Sequence, residues 1–271
     1  MDHRFSRCLS AIAILSVPAA LAGCDGDIEI NGQKGVPLSE IAIAGPPPSE
    51  IVLSSGDTVI LTEGSTFAIK VEGTDTESLR FVRDDEVIGI TREDGWNGDS
   101  NATIRITMPP PKEVVIAGSG TVQAQSLAST ANVSIGGSGT ITFTKVTAEK
   151  LGVNIGGSGT VRGAGTAKRL EINIGGSGDV ELAGLKADSA EVSIGGAGDV
   201  EFASDGKVEA NIAGAGDIKV TGNATCTANT FGSGTLTCSS TATTSTSAPA
   251  APAVPTAPET PQIPAAPKAG E

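Results

Sequence analysis

Five acidic residues recur at a spacing that could do chemistry. Asp179, Asp199 and Asp217 lie 20 and 18 residues apart, and Glu181 and Glu201 each follow an aspartate by two positions. If the chain coils with that period, the five carboxylates share one outer face, because strand residues two apart point the same way. Coils about 4.8 Å apart would hold these like charges at a cost of somewhat under ~1 kcal/mol per pair in water. A divalent cation relieves such repulsion, and hard oxygen ligands suit Ca2+. Lys219, two residues from Asp217, is a simpler remedy, and a merely solvated acidic face is the plainest reading. A pair of carboxylates is also the apparatus of glycoside hydrolysis. Trp96, the sole tryptophan, sits in the polar turn Asp94-Gly95-Trp96-Asn97-Gly98-Asp99. It could stack on a sugar ring, or fold back as an anchor for its own loop.

Other chemistry is poorly supplied. His3 is the only histidine and there is no tyrosine. The usual general base near neutral pH, also the commonest transition-metal ligand, would be lost with an N-terminal signal. The formal charge of −13 disfavours nucleic acid and anionic membrane surfaces, which call for a basic footprint. Removing Arg4, Arg7 and Asp2 leaves the chain one unit more negative still.

Arg4 and Arg7 precede an apolar run from Leu9 to Leu21, too short for a spanning helix, so residues 1–23 read as a signal peptide. The run ends in Leu21-Ala22-Gly23-Cys24, which resembles the bacterial lipobox. Cys24 is accordingly the expected lipidation site, and the lipid would be the only membrane anchor. Asp25 resembles an inner-membrane retention signal of some bacteria. Either a periplasm-facing or a cell-surface location in the envelope is compatible with this sequence. Cys226 and Cys238 remain in a compartment that permits disulfides.

The elements that must position these residues announce themselves as repeats. IAGSGTV, IGGSGTI, IGGSGTV, IGGSGDV, IGGAGDV, IAGAGDI and TFGSGTL place Gly118, Gly137, Gly157, Gly176, Gly196, Gly214 and Gly232 at intervals of 19, 20, 19, 20, 18 and 18 residues. Apolar and polar residues alternate on either side of each corner, the pattern of half-buried strands. The glycines are expected to supply positive φ at sharp corners. One such unit cannot bury its apolar face alone, but stacked units form a continuous narrow core. Ile116, Ile135, Ile155, Ile174, Ile194 and Ile212 form one expected ladder. Val122, Ile141, Val161, Val180, Val200, Ile218 and Leu236 form another. An outer column of Ser134, Asn154, Asn173, Ser193, Asn211 and Asn229 suits amide stacking along the axis.

These patterns predict an all-β solenoid of about 19-residue coils. Residues 24–44 read as a linker, 45–111 as an irregular strand-rich cap, 112–238 as seven glycine-rich repeats, and 239–271 as a disordered Ser/Thr then Ala/Pro-rich tail. Cys226 aligns with Leu151, Leu170 and Val208, and Cys238 with Leu182, Phe202 and Val220, so a bridge between them would pin the last coil. The glycine motifs are not phosphate cradles, since none leads through Lys-Ser/Thr into a helix. Nor are they nonapeptide calcium repeats. Asp179 and Asp199 come one position too early, and the period is about double.

The series SEIVLSSGDTVILTEG, AIKVEG, IRITMPPP, VVIAGSGTV and repeated IGGSGxV resembles the DUF2807 family, described as "putative auto-transporter adhesin" proteins with a head GIN domain. The resemblance covers about residues 45–239. It implies a right-handed parallel β-helix in exported, often lipid-anchored bacterial proteins, and it carries no catalytic motif. The expected function is therefore a non-enzymatic envelope protein, an adhesin or scaffold whose solenoid faces bind a surface glycan or protein, with no cofactor required. The alternative is a carbohydrate-binding or carbohydrate-cleaving β-helix that uses the acidic face.

Overall fold

The structure, a computed structural model, describes residues 29–239. The expected signal peptide, Cys24 and the tail from residue 240 lie outside the described residues. Of the described residues 63% are strand and 3% helix, arranged as a solenoid of about seven turns with coils of about 19 residues. The alternating burial of the repeats dictates this architecture. Thr140–Ile155, Thr160–Ile174, Asp179–Ile194 and Val200–Gly214 each run round a whole coil between glycine corners. Each pairs in parallel with the next, in the register that the repeat interval sets: Ile155 with Ile174, Ile174 with Ile194, Ile194 with Ile212. The isoleucine ladder and its valine counterpart point inward and are buried except for the partly buried Leu236, and Phe143 and Phe202 are buried in the same interior. One apolar cluster runs from Ile51 to Cys226.

The corner glycines work differently from the expectation. Among the repeat corners only Gly214 and Gly232 have a positive φ. The others do not, and what demands glycine there is close approach between coils. A Cβ on Gly176 would run into the carbonyl oxygen of Gly157, and one on Gly178 would lie 2.6 Å from that of Gly159. The second and third glycines of each corner thus let adjacent backbones touch.

The first part of the cap is already solenoid. Glu50–Leu53 and Thr58–Glu63 pair in parallel with Glu113–Ile116 and Thr121–Ser126, the first regular coil. On their other side they pair in parallel with Val87–Arg92 and Thr103–Met108. The chain therefore lays down one coil, crosses to stack another outside it, and returns beneath the first. Leu79–Arg83 pairs antiparallel with Val87–Arg92, and Ala68–Glu72 with Thr103–Met108, and these strands close this end. The expected linker also differs: from Glu29 it is part of the fold. A hairpin of Glu29–Ile30 and Gln33–Lys34 places Ile30 over Val52, Val82 and Val87, a second apolar cluster outside the solenoid wall. Val52 and Val87 are outward-facing apolar residues that would otherwise meet water, and Ile30 covers them.

At the other end Cys226 pairs with Val208 and Cys238 with Val220, and the two cysteines form a disulfide across the last coil.

Candidate binding surfaces

The acidic residues do gather on one face, and their neighbours neutralise them. The glutamate column runs Arg162, Glu181, Glu201, Lys219 through four successive coils. Arg162 holds Glu181 through two bonds of 2.8 and 2.7 Å, and Lys219 holds Glu201 at 2.7 Å. The paired guanidinium keeps the Glu181 carboxyl below the usual carboxylate range. The partner of Lys219 is thus Glu201, not the expected Asp217. The aspartates form a separate ladder. The Asp199 N–H donates to Asp179 Oδ1 (3.3 Å), the Asp217 N–H to Asp199 Oδ1 (3.0 Å), and the Thr235 N–H and hydroxyl to Asp217 Oδ1 (3.0 and 2.7 Å). Each aspartate accepts from the corner of the next coil, where the chain leaves the regular sheet. Among the described residues no three His, Cys, Asp or Glu side chains converge as a metal site would require. The cavity beside these carboxylates, about 380 Å3, includes Lys219. A glycosidase needs one carboxyl free to give a proton and another free to attack or activate water; here the glutamates are ion-paired and the aspartates cap backbone.

Trp96 belongs to a polar network at the capped end that is barely legible in the sequence. Asp57 is fully buried and accepts from Ser55 Oγ (2.8 Å), the Ala102 N–H (3.0 Å) and Arg92 Nε (2.8 Å), with Arg92 Nη2 on its other oxygen. Arg92 also donates to Ser78 Oγ (2.6 Å) and the Asp75 carbonyl, and its guanidinium lies 4.2 Å from the centre of the Trp96 ring. The indole is half-buried against a cation that is itself fixed, the geometry of a loop anchor.

Glu50 is the second buried acid among the described residues. It is 8% exposed, one carboxyl oxygen lacks a hydrogen-bond partner among the described residues, and its pKa is pushed up to about 7. Burial is the main cause, reinforced by Glu113, Asp84 and Glu86 nearby. Burial also raises Glu113, its neighbour in the next coil.

A surface that sequence reasoning missed lies on the opposite side of the ladder isoleucines. A groove of about 400 Å3 runs along the stack from Asn154 to Phe231. Its floor is the residue after each ladder isoleucine: Gly156, Gly175, Gly195 and Ala213. One wall is Asn154, Asn173, Ser193 and Asn211, and Phe231 closes the end. Asn173 Nδ2 donates to Asn154 Oδ1 (3.1 Å) and Asn229 Nδ2 to Asn211 Oδ1 (3.2 Å), so the expected amide ladder forms in pairs. Asn154 and Asn211 accept in these pairs and keep donors for a ligand. Phe231 is 75% exposed, the most exposed large apolar side chain among the described residues.

The floor glycines differ from the other two glycines of each corner. A Cβ on Gly156 or Gly175 would come no closer than 3.9 Å to any atom, and one on Gly195 no closer than 3.6 Å. None has a positive φ. Ala117, Ala213 and Phe231 occupy the same position in other coils, so the backbone accepts side chains there. Neither conformation nor packing requires glycine at these sites. Its effect is to leave the groove open. The internal signal was present in the sequence as the IAGSG and TFGSG exceptions among the IGGSG corners.

The fold and its surfaces define a repeat-built β-solenoid with a linear groove and, among the described residues, no catalytic constellation. The chain belongs to the DUF2807 family, whose profile, "Putative auto-transporter adhesin, head GIN domain", matches residues 47–224. The match ends at Ala224, immediately before the disulfide-bearing last coil. Three solved structures share the fold. A putative adhesin from Bacteroides fragilis is 22% identical with a TM-score of 0.64, covering 71% of this chain and 92% of that one. A putative lipid binding protein from Parabacteroides distasonis is 20% identical with a TM-score of 0.56 (72% and 94%), and a putative adhesin from the same organism is 19% identical with a TM-score of 0.51 (72% and 94%). No curated protein matches the chain.

Proposed function

We propose that this protein is a lipid-anchored, non-enzymatic adhesin-like component of the bacterial envelope that binds an extended ligand along its glycine-floored groove. The observation that carries the reading is that three glycines, at a position where other coils bear Ala or Phe, keep the groove clear without serving the fold. A linear channel with a polar side chain on each successive coil suits a chain-like ligand, a glycan or an extended peptide, more than a compact one. Amides at intervals of about 4.8 Å supply donors and acceptors, and Phe231 supplies an exposed apolar contact. Family membership supports an envelope location and an adhesin-like role. Lipid attachment through Cys24 rests on the Leu-Ala-Gly-Cys motif.

The test uses cells expressing the full chain, with adherence to polysaccharide- and protein-coated surfaces as the readout. Filling the floor with Gly175→Leu and Gly195→Leu should lower adherence at least fivefold at unchanged surface level. Undiminished adherence would remove the groove from the function. Protease shaving with an epitope after Glu271 and a periplasmic leakage marker checks the location: loss of the tag with the marker preserved is the outcome expected of an adhesin.

A further inference from the structure

The sequence itself contains a segment matched to the groove. From Pro249 to Pro267 every third residue is proline, seven in all. Three residues make one turn of a polyproline II helix, which rises about 9.3 Å. Two coils of the solenoid rise about 9.6 Å. A polyproline II segment laid along the stack therefore sets a proline ring over every second coil. Across the five coils from Asn154 to Phe231 the two repeats drift apart by less than about 1 Å.

We propose that the Pro249–Pro267 segment docks in this groove as a polyproline II helix and occupies it until an outside ligand displaces it. The proposal rests on the reading of the groove as a binding site. Three further observations support it. A polyproline II backbone makes no internal hydrogen bonds, so its carbonyls need donors, and the Asn154 and Asn211 amides have them to give. Proline-rich segments dock against aromatic side chains, and Phe231 stands exposed at the end of the groove on the last coil. Charge does not oppose the contact: no groove-lining residue is charged, and Glu259 is the one charged residue from Pro249 to Pro267. The nine residues between Ser239 and Pro249 reach up to about 30 Å when extended, and such a tether gives an effective concentration on the order of millimolar. Even weak docking then keeps the groove occupied.

The experiment places photoreactive p-benzoylphenylalanine at Ser193, on the groove wall, in the full-length chain in its native membrane. After irradiation and digestion, mass spectrometry should find adducts within one chain to residues 249–267. Replacing Pro252, Pro255, Pro258 and Pro261 with serine should lower that adduct at least fivefold, and so should Gly175→Leu, which fills the floor. No adduct to the tail, an adduct of double mass, or an adduct that survives the proline substitutions would each overturn the proposal. Adherence of the Gly175→Leu variant is a separate readout: if it falls while wild type shows no tail adduct, the groove remains a ligand site and only the tail assignment fails.

Discussion

Asp57 and Arg92 form the one salt bridge among the described residues with both partners buried. Both are buried, and each has its hydrogen-bonding capacity taken up by the other and by the Asp75–Ser78 turn, Ser55 and Ala102. Removing one partner strands a buried charge, so Asp57→Ala should lose about 3–5 kcal/mol in urea unfolding, whereas Asp57→Ala combined with Arg92→Leu should lose less than the two single changes added together. Strict additivity would show that the two charges act independently. Glu50 sets a pH dependence of the opposite sign to that of an ion-paired acid. Its pKa is about 7 in the fold against 4.5 as the ordinary value, so between those pH values the folded chain holds a proton that the unfolded chain has released. That contribution is fully present below pH 4.5 and is lost as pH rises through 7. Glu50→Gln should therefore melt higher than wild type at pH 8, match it near pH 4, and flatten the profile between. An unaltered slope would assign the pH dependence to other groups. None of these three roles was legible in the sequence. Asp57 reads as an ordinary turn residue in Ser55-Gly56-Asp57, because its partner is 35 positions away.

At the scale of the coil, the strands, their alternation and the register were legible because each repeats seven times, and a column of isoleucines can be read without coordinates. The role of the corner glycines was not, since a short motif looks the same whether glycine serves a positive φ, a close backbone contact or an open surface. The order of the first coils was not legible either. Val87–Arg92 stacks outside Glu50–Leu53 although it follows it in sequence, and nothing local to either strand encodes that crossing. The disulfide sits where the repeat columns placed its cysteines, and it matters most locally. It closes a 12-residue loop, and chain-entropy arguments give about 3 kcal/mol for a loop of that size. With Cys226→Ser and Cys238→Ser, hydrogen exchange should quicken in Thr225–Gly232 and Thr235–Cys238 and stay slow in Thr140–Ile155. Loss of protection through the whole stack would mean that the last coil is needed to hold the others.

For the whole molecule, the solenoid provides faces rather than a pocket, and the question is which face is functional. The acidic column is legible in the sequence because carboxylates carry chemistry, yet its charges are matched within the column by Arg162 and Lys219 and by backbone donors. The groove is not legible in the sequence because it is made by missing side chains, and only the space a Cβ would meet separates its floor glycines from the other two of each corner. The thermal stability of two variants one residue apart tests this difference most directly. Gly175→Ala should leave the melting temperature unchanged or slightly raised, since it meets nothing closer than 3.9 Å and restricts the unfolded chain. Gly176→Ala should cost about 3 kcal/mol, since its Cβ would press on the Gly157 carbonyl of the adjacent coil. A large loss from Gly175→Ala, equal to that from Gly176→Ala, would show that the floor glycine serves the fold and would contradict the groove as a site kept open for a ligand.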